Sequence, residues 1–465
     1  MATRTPPPVP GLPLLGNALD FRANPVDLIR RGYEMYGPLF SIAVGPKHFA
    51  VLLGPEHNRF FFEQTGKLLS IQKAYQFLIP MFGDKFLFVV DDAEYKEQRG
   101  IVLPAFQGKK LDGYVQAMVA ETEDWLATLG ETGSSPLVDA MGSLAIFMTI
   151  RAIVGDDFRR RAGAEFWDLF QGLSGGVEYV LPPNLPLPRF RRRDRAKRAL
   201  HSMLGQIIAE RRRGAEEHHD LIQTLSQATY SNGELLAEST IAGMILGMVY
   251  AGQENTTGHT SWALIHLLQH PDYLARVLEE QEAVLGARPA LDLATLRKLD
   301  RLEWALKETE RLQSSIRFIV RYTTAGYDLG GYHVPPGWLT MIAPSVSHRL
   351  PQVFADPDRY DPERFSPERG EDRKAPNSLI GFGGGLHRCL GVHFAYASMK
   401  VILTLLLQRY TLELVEPFPK SVPGPAINRP QKPCLVRYRR RQAPGTAKLA
   451  GQTARVEDLQ AGAYR

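Results

Sequence analysis

The chain has 465 residues, of which 44% are hydrophobic and 23% are charged, close to the average of globular proteins. Its net charge of +5 gives no support for nucleic-acid binding, and its two cysteines, Cys389 and Cys434, are too few for a disulfide-stabilised secreted scaffold. These numbers predict a large globular protein of a reducing compartment, and we expect it in the cytoplasm.

The N-terminal segment, residues 1–16, is rich in proline, which fixes φ and removes a backbone donor. We therefore expect an extended lead-in there. Prolines also stand where a signal peptide needs a continuous apolar run. The longest weakly polar run, residues 240–252, falls short of the roughly 20 residues of a membrane span. We expect no transmembrane segment.

Next along the chain, residues 39–53 predict a β-hairpin that turns at Gly45-Pro46. Helical periodicity then dominates from about residue 93 to residue 265. Short strand-like runs separated by turn glycines follow over residues 320–337. A mainly α fold with a minor β portion is therefore predicted.

The C-terminal part begins with an irregular stretch, residues 344–385, rich in Pro, Asp and Arg. An apolar helix follows over about residues 390–409, and residues 442–465 lack periodicity and are expected to be disordered. Because no linker composition interrupts residues 17–441, we predict one large domain there.

One predicted helix is long enough to cross the centre of the molecule. Ser231 and Glu234 have the spacing of a capping box, and the next proline is Pro271. The middle of this segment places a polar cluster, residues 253–257, directly after an apolar run. Buried polar groups cost free energy unless they are paired. The cluster therefore marks either a binding site or a hydrated patch.

A glycine-rich loop, residues 381–391, brings Cys389 to the start of the last apolar helix. Glycines let a backbone approach a flat ligand, and a helix N-terminus stabilises a thiolate. His387 and Arg388 add positive charge. This is what a metal-bound thiolate needs, whereas an isolated cysteine is usually a small buried apolar residue. We give the latter interpretation to Cys434.

These features resemble the cytochrome P-450 superfamily in order and spacing. The loop matches its haem signature, Phe-x-x-Gly-x-x-x-Cys-x-Gly. A Glu-x-x-Arg motif and a Pro-Glu-Arg-Phe segment match the family's three-way Glu–Arg–Arg lock. The polar cluster lies where the family has its oxygen-binding helix. The resemblance covers roughly residues 6–441, and the residues of the lock are Glu308, Arg311 and Arg364.

The resemblance implies a single helical fold with a long central helix, and haem b as the cofactor. It implies a monooxygenase that uses O2 and a small-molecule substrate. No dinucleotide-binding glycine motif follows a strand, so electrons are expected from a separate ferredoxin- or flavodoxin-type donor. We expect a monomer.

The resemblance also assigns roles to individual residues. Cys389 is the expected iron ligand. Further haem contacts are expected from Tyr95, Arg99, Arg321, Phe382, Gly383, His387 and Gly391. Proton delivery is expected from Glu254, Asn255 and Thr256. The walls of the substrate pocket are expected to include Tyr75, Phe77, Phe82, Met248, Ala251, Ile316, Arg317 and Phe318.

Within the superfamily, residues 75–83 look like the substrate-loop signature of the sterol 14α-demethylases, which favours an apolar sterol, terpenoid or lipid-like substrate. The chain departs from that group with Glu254-Asn255 in place of a His–Thr pair. Arg317 enters a stretch that is normally apolar, where it either anchors an acidic substrate or joins Arg321 at a haem propionate. Because Asn255 lacks a hydroxyl, a haem-thiolate protein that does not activate O2 is the alternative.

Overall fold

The structure is a computed structural model that describes residues 4–178, 183, 185–214, 218, 220–286, 291–425 and 427–441. The predicted tail, residues 442–465, lies outside the described residues. Most of the predicted lead-in is described and lies along the first strand. The Val9 N–H donates to the Ser41 carbonyl at 2.9 Å, and the Ser41 N–H donates to the Pro7 carbonyl at 2.8 Å.

Helices dominate the described part of the chain, as the periodicity predicts. In order they are α1 (Ala18–Ala23), α2 (Pro25–Tyr36), α3 (Pro55–Gln64), α4 (Ile71–Ala74), α5 (Ile79–Phe82), α6 (Asp92–Val102), α7 (Lys109–Ala127), α8 (Leu137–Ile153), α9 (Asp156–Arg161), α10 (Gly163–Ser174), α11 (Pro188–Arg213), α12 (Leu221–Gln227), α13 (Glu238–Gln269), α14 (Pro271–Leu285), α15 (Leu293–Leu296), α16 (Asp300–Leu312), α17 (Pro344–Ser347), α18 (Glu371–Lys374) and α19 (Val392–Arg409).

The strands are short and, within the described residues, form three small sheets. They are β1 (Leu39–Val44), β2 (Lys47–Leu52), β3 (Leu69–Ser70), β4 (Thr132–Pro136), β5 (Ile319–Thr323), β6 (Tyr327–Leu329), β7 (Tyr332–Val334), β8 (Leu339–Ile342), β9 (Tyr410–Leu414) and β10 (Leu435–Arg440). The largest sheet has the order β1-β2-β8-β5-β3, the second β4-β10-β9, and the third pairs β6 with β7. The predicted mainly α fold with a minor β portion is confirmed.

The predicted N-terminal hairpin is also confirmed. Strands β1 and β2 pair antiparallel from Leu39 opposite Leu52 to Val44 opposite Lys47. Gly45 takes a φ of +56° at the turn, a conformation that glycine adopts without steric cost. The two strands form one edge of the largest sheet.

Helix α13 is the predicted long central helix, but its start differs from the prediction. The helix begins at Glu238, not at a capping box, and its 32 residues span about 48 Å at about 1.5 Å per residue. The Glu234 N–H donates to the Asn232 side-chain Oδ1 at 3.0 Å, and Gly233 has a φ of +84°. These local bonds make a turn that competes with helix initiation.

Helix α13 lies at the centre of the apolar core. It packs against α8, α11, α16 and α19 and is buried along most of its length. Two smaller apolar clusters form around the largest sheet. We call the apolar core around α13 the helical core, the region of the two sheet clusters the sheet side, and the boundary between them the seam. The predicted site residues come from both sides of this seam.

Helix α19 confirms the predicted C-terminal apolar helix. In the part of the chain that the structure describes, one stretch, Gly385–Arg409, is long and apolar enough to cross a membrane by length and composition. Of its apolar window, 67% is buried inside the protein. That burial is typical of a core helix.

Candidate functional site

Glycines shape the loop that carries Cys389. Gly383 and Gly385 have φ values of +70° and +60°, which other residues rarely adopt. The Cys389 N–H donates to the Phe382 carbonyl at 2.9 Å and closes the loop. Gly391 is the N-cap residue of α19, so the cysteine stands at the N-terminal end of an 18-residue helix.

The two cysteines have different surroundings. Cys434 is buried, as predicted, and burial raises the pKa of its thiol to about 11. Cys389 keeps accessible surface, although burial raises the pKa of its thiol too. The Gly391 N–H and the charges of Arg388 and Arg99 oppose that rise. These are the interactions that stabilise a thiolate.

Four of the predicted haem-contacting side chains cluster beside the loop. The rings of Tyr95 and His387 lie 4.1 Å apart. Arg99 donates to the Tyr95 hydroxyl and to the Arg388 carbonyl, each at 3.3 Å. Arg321 approaches the same place from β5. It lies close enough that its charge, like that of Arg99, lowers the pKa of His387. We call Tyr95, Arg99, Arg321 and His387 the cationic cradle.

The cradle is short of hydrogen-bond partners and of negative charge. Arg321 is 3% exposed, yet its Nε has no partner; its Nη1 donates to the Val320 carbonyl at 2.9 Å, and the Tyr75 side chain is a further hydrogen-bond partner. Both ring nitrogens of His387 are buried without partners, and burial lowers its pKa to about 3. The ring is therefore neutral and does not add the positive charge that the sequence predicted; the charge of the cradle comes from its two arginines. Among the described residues, no carboxylate forms an ion pair with Arg321 or Arg99. The cradle therefore fits an acidic ligand.

The predicted proton-delivery residues lie on the middle turns of α13, where Ala251 keeps accessible surface. The Asn255 Nδ2 donates to the Ala251 carbonyl at 2.9 Å, while its Oδ1 is buried without a partner. Thr256 is buried. Glu254 forms an ion pair with Arg429 at 3.2 Å, and burial raises the pKa of its carboxyl.

Three predicted pocket residues belong to one group of aromatic rings. Neighbouring ring centroids lie 4.9–5.7 Å apart in this aromatic wall, which consists of Tyr75, Phe77, Phe82, Phe86, Phe88 and Tyr250. Met248 packs against the same helical core. Arg321 lies 5.9 Å from the Tyr75 ring, so the wall adjoins the cationic cradle.

The other predicted pocket residues lie on the sheet side of the seam. Ile316 packs against one of the two sheet-side clusters. Phe318 packs against the other and stacks on Phe21 at 5.6 Å. Neighbouring residues of β2 alternate between the clusters, Val51 in one and Leu52 in the other, so Ile316 and Phe318 pack on opposite faces of the sheet. This contradicts the expectation that both line one pocket.

Arg317 does not lie where either sequence-based hypothesis puts it. Its guanidinium is 5% exposed and donates to the Val422 carbonyl at 2.6 Å, to the Gly424 carbonyl and to the Asn428 side chain at 3.2 Å. Backbone carbonyls of the C-terminal loop thus use its donors. The expected contact with an acidic substrate or a propionate is replaced by a loop anchor.

Glu308, Arg311 and Arg364 form a closed ionic lock whose side chains are 0% exposed. Glu308 binds Arg311 at 2.7 Å and Arg364 at 3.1 Å, and it accepts the Asp361 N–H at 2.8 Å. The remaining guanidinium nitrogens bind Glu371 and carbonyl oxygens of the irregular stretch. The lock has no unpartnered atom, so it ties α16 to that stretch.

Sequence reasoning missed two charged residues at the site. Arg429 pairs with Glu254 across 175 positions, and no local pattern predicts such a pair. Glu310 is 4% exposed and binds the first residue of the cysteine loop, the Gly381 N–H, at 2.9 Å. A second acid inside the Glu-x-x-Arg motif was the available signal, since these residues of α16 are buried.

These residues fit a haem, the cofactor that the resemblance implies. An accessible thiol stands at a helix N-terminus, and a partly buried cationic cradle without carboxylate partners lies beside it. The Cys389 sulfur would hold the iron. Arg321, Arg99, Tyr95 and His387 would bind the acidic propionate groups.

Comparison with known proteins gives consistent results. The family model for cytochrome P-450 matches residues 6–437. The chain is 33% identical to obtusifoliol 14-alpha demethylase of Triticum aestivum, over 94% of this chain and 99% of that protein. It is 34% identical to sterol 14-demethylase of Arabidopsis thaliana, over 92% and 90%.

Solved structures share the fold. Retinoic acid-bound cyanobacterial CYP120A1 superposes with a TM-score of 0.87 at 26% identity, covering 95% of this chain and 100% of that one. The match thus extends over both the helical core and the sheets. The chain therefore belongs to the cytochrome P-450 family and is a monooxygenase with a haem-thiolate cofactor.

Proposed function

We propose that this monooxygenase inserts one oxygen atom of O2 into a C–H bond of an apolar, sterol- or terpenoid-like molecule. The observation that carries the proposal is the aromatic wall on the helical side of the seam. Flat rings bury large apolar areas and suit a rigid, polycyclic or polyene ligand. The relatives named above are demethylases of sterols, which supports the same class.

Cys389 is the proposed iron ligand. When bound, the haem supplies O2 binding and the oxidative chemistry, to which a thiolate ligand contributes electron density that favours O–O cleavage. The cationic cradle would neutralise the propionates, and the glycines of the loop would let the backbone approach the macrocycle. Phe382, Gly383 and Gly391 fix the loop from which the thiolate projects.

Glu254 is the proposed proton carrier. Its side chain is 15% exposed, and its partner Arg429 is 37% exposed, so the pair connects solvent with the buried middle of α13. Burial raises the pKa of the Glu254 carboxyl, which brings the group closer to the range where it gains and loses protons. The free Asn255 Oδ1 would accept a hydrogen bond from a water, and Thr256 lies one position further.

We also propose that the protein is a cytoplasmic monomer that receives electrons from a separate ferredoxin- or flavodoxin-type donor. Both cysteines are free, which supports a reducing compartment. Cell fractionation, size-exclusion chromatography and reduction assays with either donor test the three parts separately.

A ligand screen tests the proposed substrate class. The haem-loaded protein is titrated with sterols, triterpenoids and acidic lipids, and displacement of the iron-bound water is followed in the Soret band. We expect rigid polycyclic compounds to bind more tightly than linear fatty acids of equal carbon number. Tighter binding of the linear acids would contradict the proposed class.

Turnover then tests the reaction type. Binding compounds are incubated with a surrogate ferredoxin, its reductase and NADPH, or with peroxide alone. We expect hydroxylated or demethylated product that depends on the redox chain. Product with peroxide only would favour the alternative in which Asn255 marks an enzyme that does not activate O2.

A further inference from the structure

Glu310 lies directly behind the cysteine loop. It belongs to α16, is buried, and accepts hydrogen bonds from two separate segments, the cysteine loop and α19. Its Oε1 accepts the Gly381 N–H at 2.9 Å, and its Oε2 accepts the Tyr396 hydroxyl at 3.1 Å. One carboxyl group thus joins the first residue of the loop to the second turn of α19.

The surrounding packing makes this contact specific. A Cβ on Gly381 would lie 2.6 Å from the Glu310 carboxyl oxygen, so a larger residue here would require the carboxyl group to move. The Tyr396 ring lies 5.4 Å from the ring of Phe382, whose carbonyl accepts the Cys389 N–H. The carboxyl therefore holds both the backbone and the ring that set the position of the cysteine.

The charge of Glu310 also reaches the thiol. No Lys or Arg forms an ion pair with it within the described ranges, and burial raises its pKa to about 7. Its two hydrogen bonds and the charges of Lys307 and Arg388 oppose that rise. When ionised, Glu310 raises the pKa of the Cys389 thiol, so the two groups interact electrostatically.

We propose that Glu310 is a positioning residue of the haem-thiolate centre: its carboxyl fixes the loop that presents Cys389 and, when ionised, places a negative charge near the sulfur. A negative charge there opposes the addition of an electron to the iron, so ionisation lowers the reduction potential. The inference rests on Cys389 as the iron ligand, which Cys389→Ala tests independently.

The test uses the haem-loaded protein and two spectroscopic measurements. The ferric–ferrous potential and the red-shifted Soret band of the CO complex are recorded across about pH 6–8. In the parent, the potential should fall as the pH rises through the range in which Glu310 ionises. Glu310→Gln keeps the shape and an acceptor for Gly381, so the thiolate band should remain and this change in potential should disappear.

A second variant keeps the proposal testable if Glu310→Gln does not load haem. Tyr396→Phe removes a bond that stabilises the ionised carboxyl, so the midpoint of the change in potential should move to higher pH. Thr309→Val, one position away, removes a buried hydroxyl that donates to the Ala305 carbonyl at 2.8 Å and does not contact the cysteine loop, so it should behave as the parent. An unchanged pH dependence in both Glu310→Gln and Tyr396→Phe would overturn the proposal.

Discussion

The ionic lock and the cationic cradle both contain deeply buried arginine, but they differ in whether the guanidinium nitrogens have hydrogen-bond partners. In the ionic lock, Glu308 faces Arg311 and Arg364, and the guanidinium nitrogens of both arginines have partners. In the cationic cradle, Arg321 is as deeply buried but lacks a carboxylate and keeps an unpartnered Nε. His387 beside it keeps two unpartnered nitrogens.

This difference in hydrogen-bond partners distinguishes arginines that stabilise the fold from an arginine that is available to a ligand. A buried charge that is fully paired within the chain stabilises the fold, and its loss is costly because a partner remains buried and unpaired. A buried charge without a partner weakens the fold until a ligand supplies one. The two clusters should therefore respond in opposite ways to the removal of an arginine.

The largest effect is expected for Cys389, the proposed iron ligand beside the cationic cradle. Cys389→Ala should abolish the red-shifted Soret band of the reduced CO complex, because no thiolate then reaches the iron. Cys434→Ala is the matched control, since that thiol is buried elsewhere, and it should keep the band. The reverse result for the two variants would refute the assignment.

The second-largest effect is expected when the ionic lock is broken, and it should be a loss of folding stability. Glu308→Ala leaves two buried guanidinium groups without their carboxylate, and we expect a loss of about 3–5 kcal/mol in the free energy of unfolding. Glu413→Ala breaks an exposed pair with Arg437 and should cost no more than about 1 kcal/mol. Denaturant unfolding and the yield of haem-loaded protein measure both. Equal stability of the two variants would contradict the lock.

The half-buried pair Glu254–Arg429 lies between the two extremes and should affect turnover rather than folding. Glu254→Gln should lower product formed per NADPH consumed by about 10²-fold, the lower end for a general acid. Electrons should then appear as peroxide while haem binding persists. Asn255→Thr is the control and should retain coupled turnover. Parent-like coupling in Glu254→Gln would exclude this route for the proton.

Removal of a cradle arginine gives the sharpest contrast with the lock. Arg321→Leu should leave the apoprotein as stable as the parent or more so, because a buried cation without a carboxylate partner is lost. It should release haem about tenfold faster, in line with one lost charge-assisted bond. Arg364→Leu, in contrast, should lower the stability of the apoprotein itself. Thermal unfolding and haem transfer to an acceptor protein distinguish the two, and an unstable Arg321→Leu apoprotein would break the comparison.

The smallest effect is expected for ligand charge at Arg317. Its donors are occupied by the C-terminal loop, so Arg317→Met should change the affinities for an acidic ligand and for its methyl ester by the same factor. Binding titrations of both compounds measure the ratio. A selective loss of the acid would return Arg317 to the substrate pocket.

The sequence by itself determined the features that depend on short spacing. The hairpin at Gly45, the glycine loop before α19 and the three-residue step from Glu308 to Arg311 are local patterns, and the structure forms each of them. The family motifs likewise lie within short segments, so the cofactor and the reaction type followed from them.

Only the tertiary structure decided which polar groups find partners. Glu254 meets Arg429 across 175 positions, and Glu310 meets Gly381 across 71. Arg317 lies in an apolar stretch, yet it turns to carbonyls more than 100 positions away. At residues 230–235, competing side-chain bonds decided where α13 begins. Partner choice depends on how distant segments pack, and a one-dimensional pattern does not contain that information.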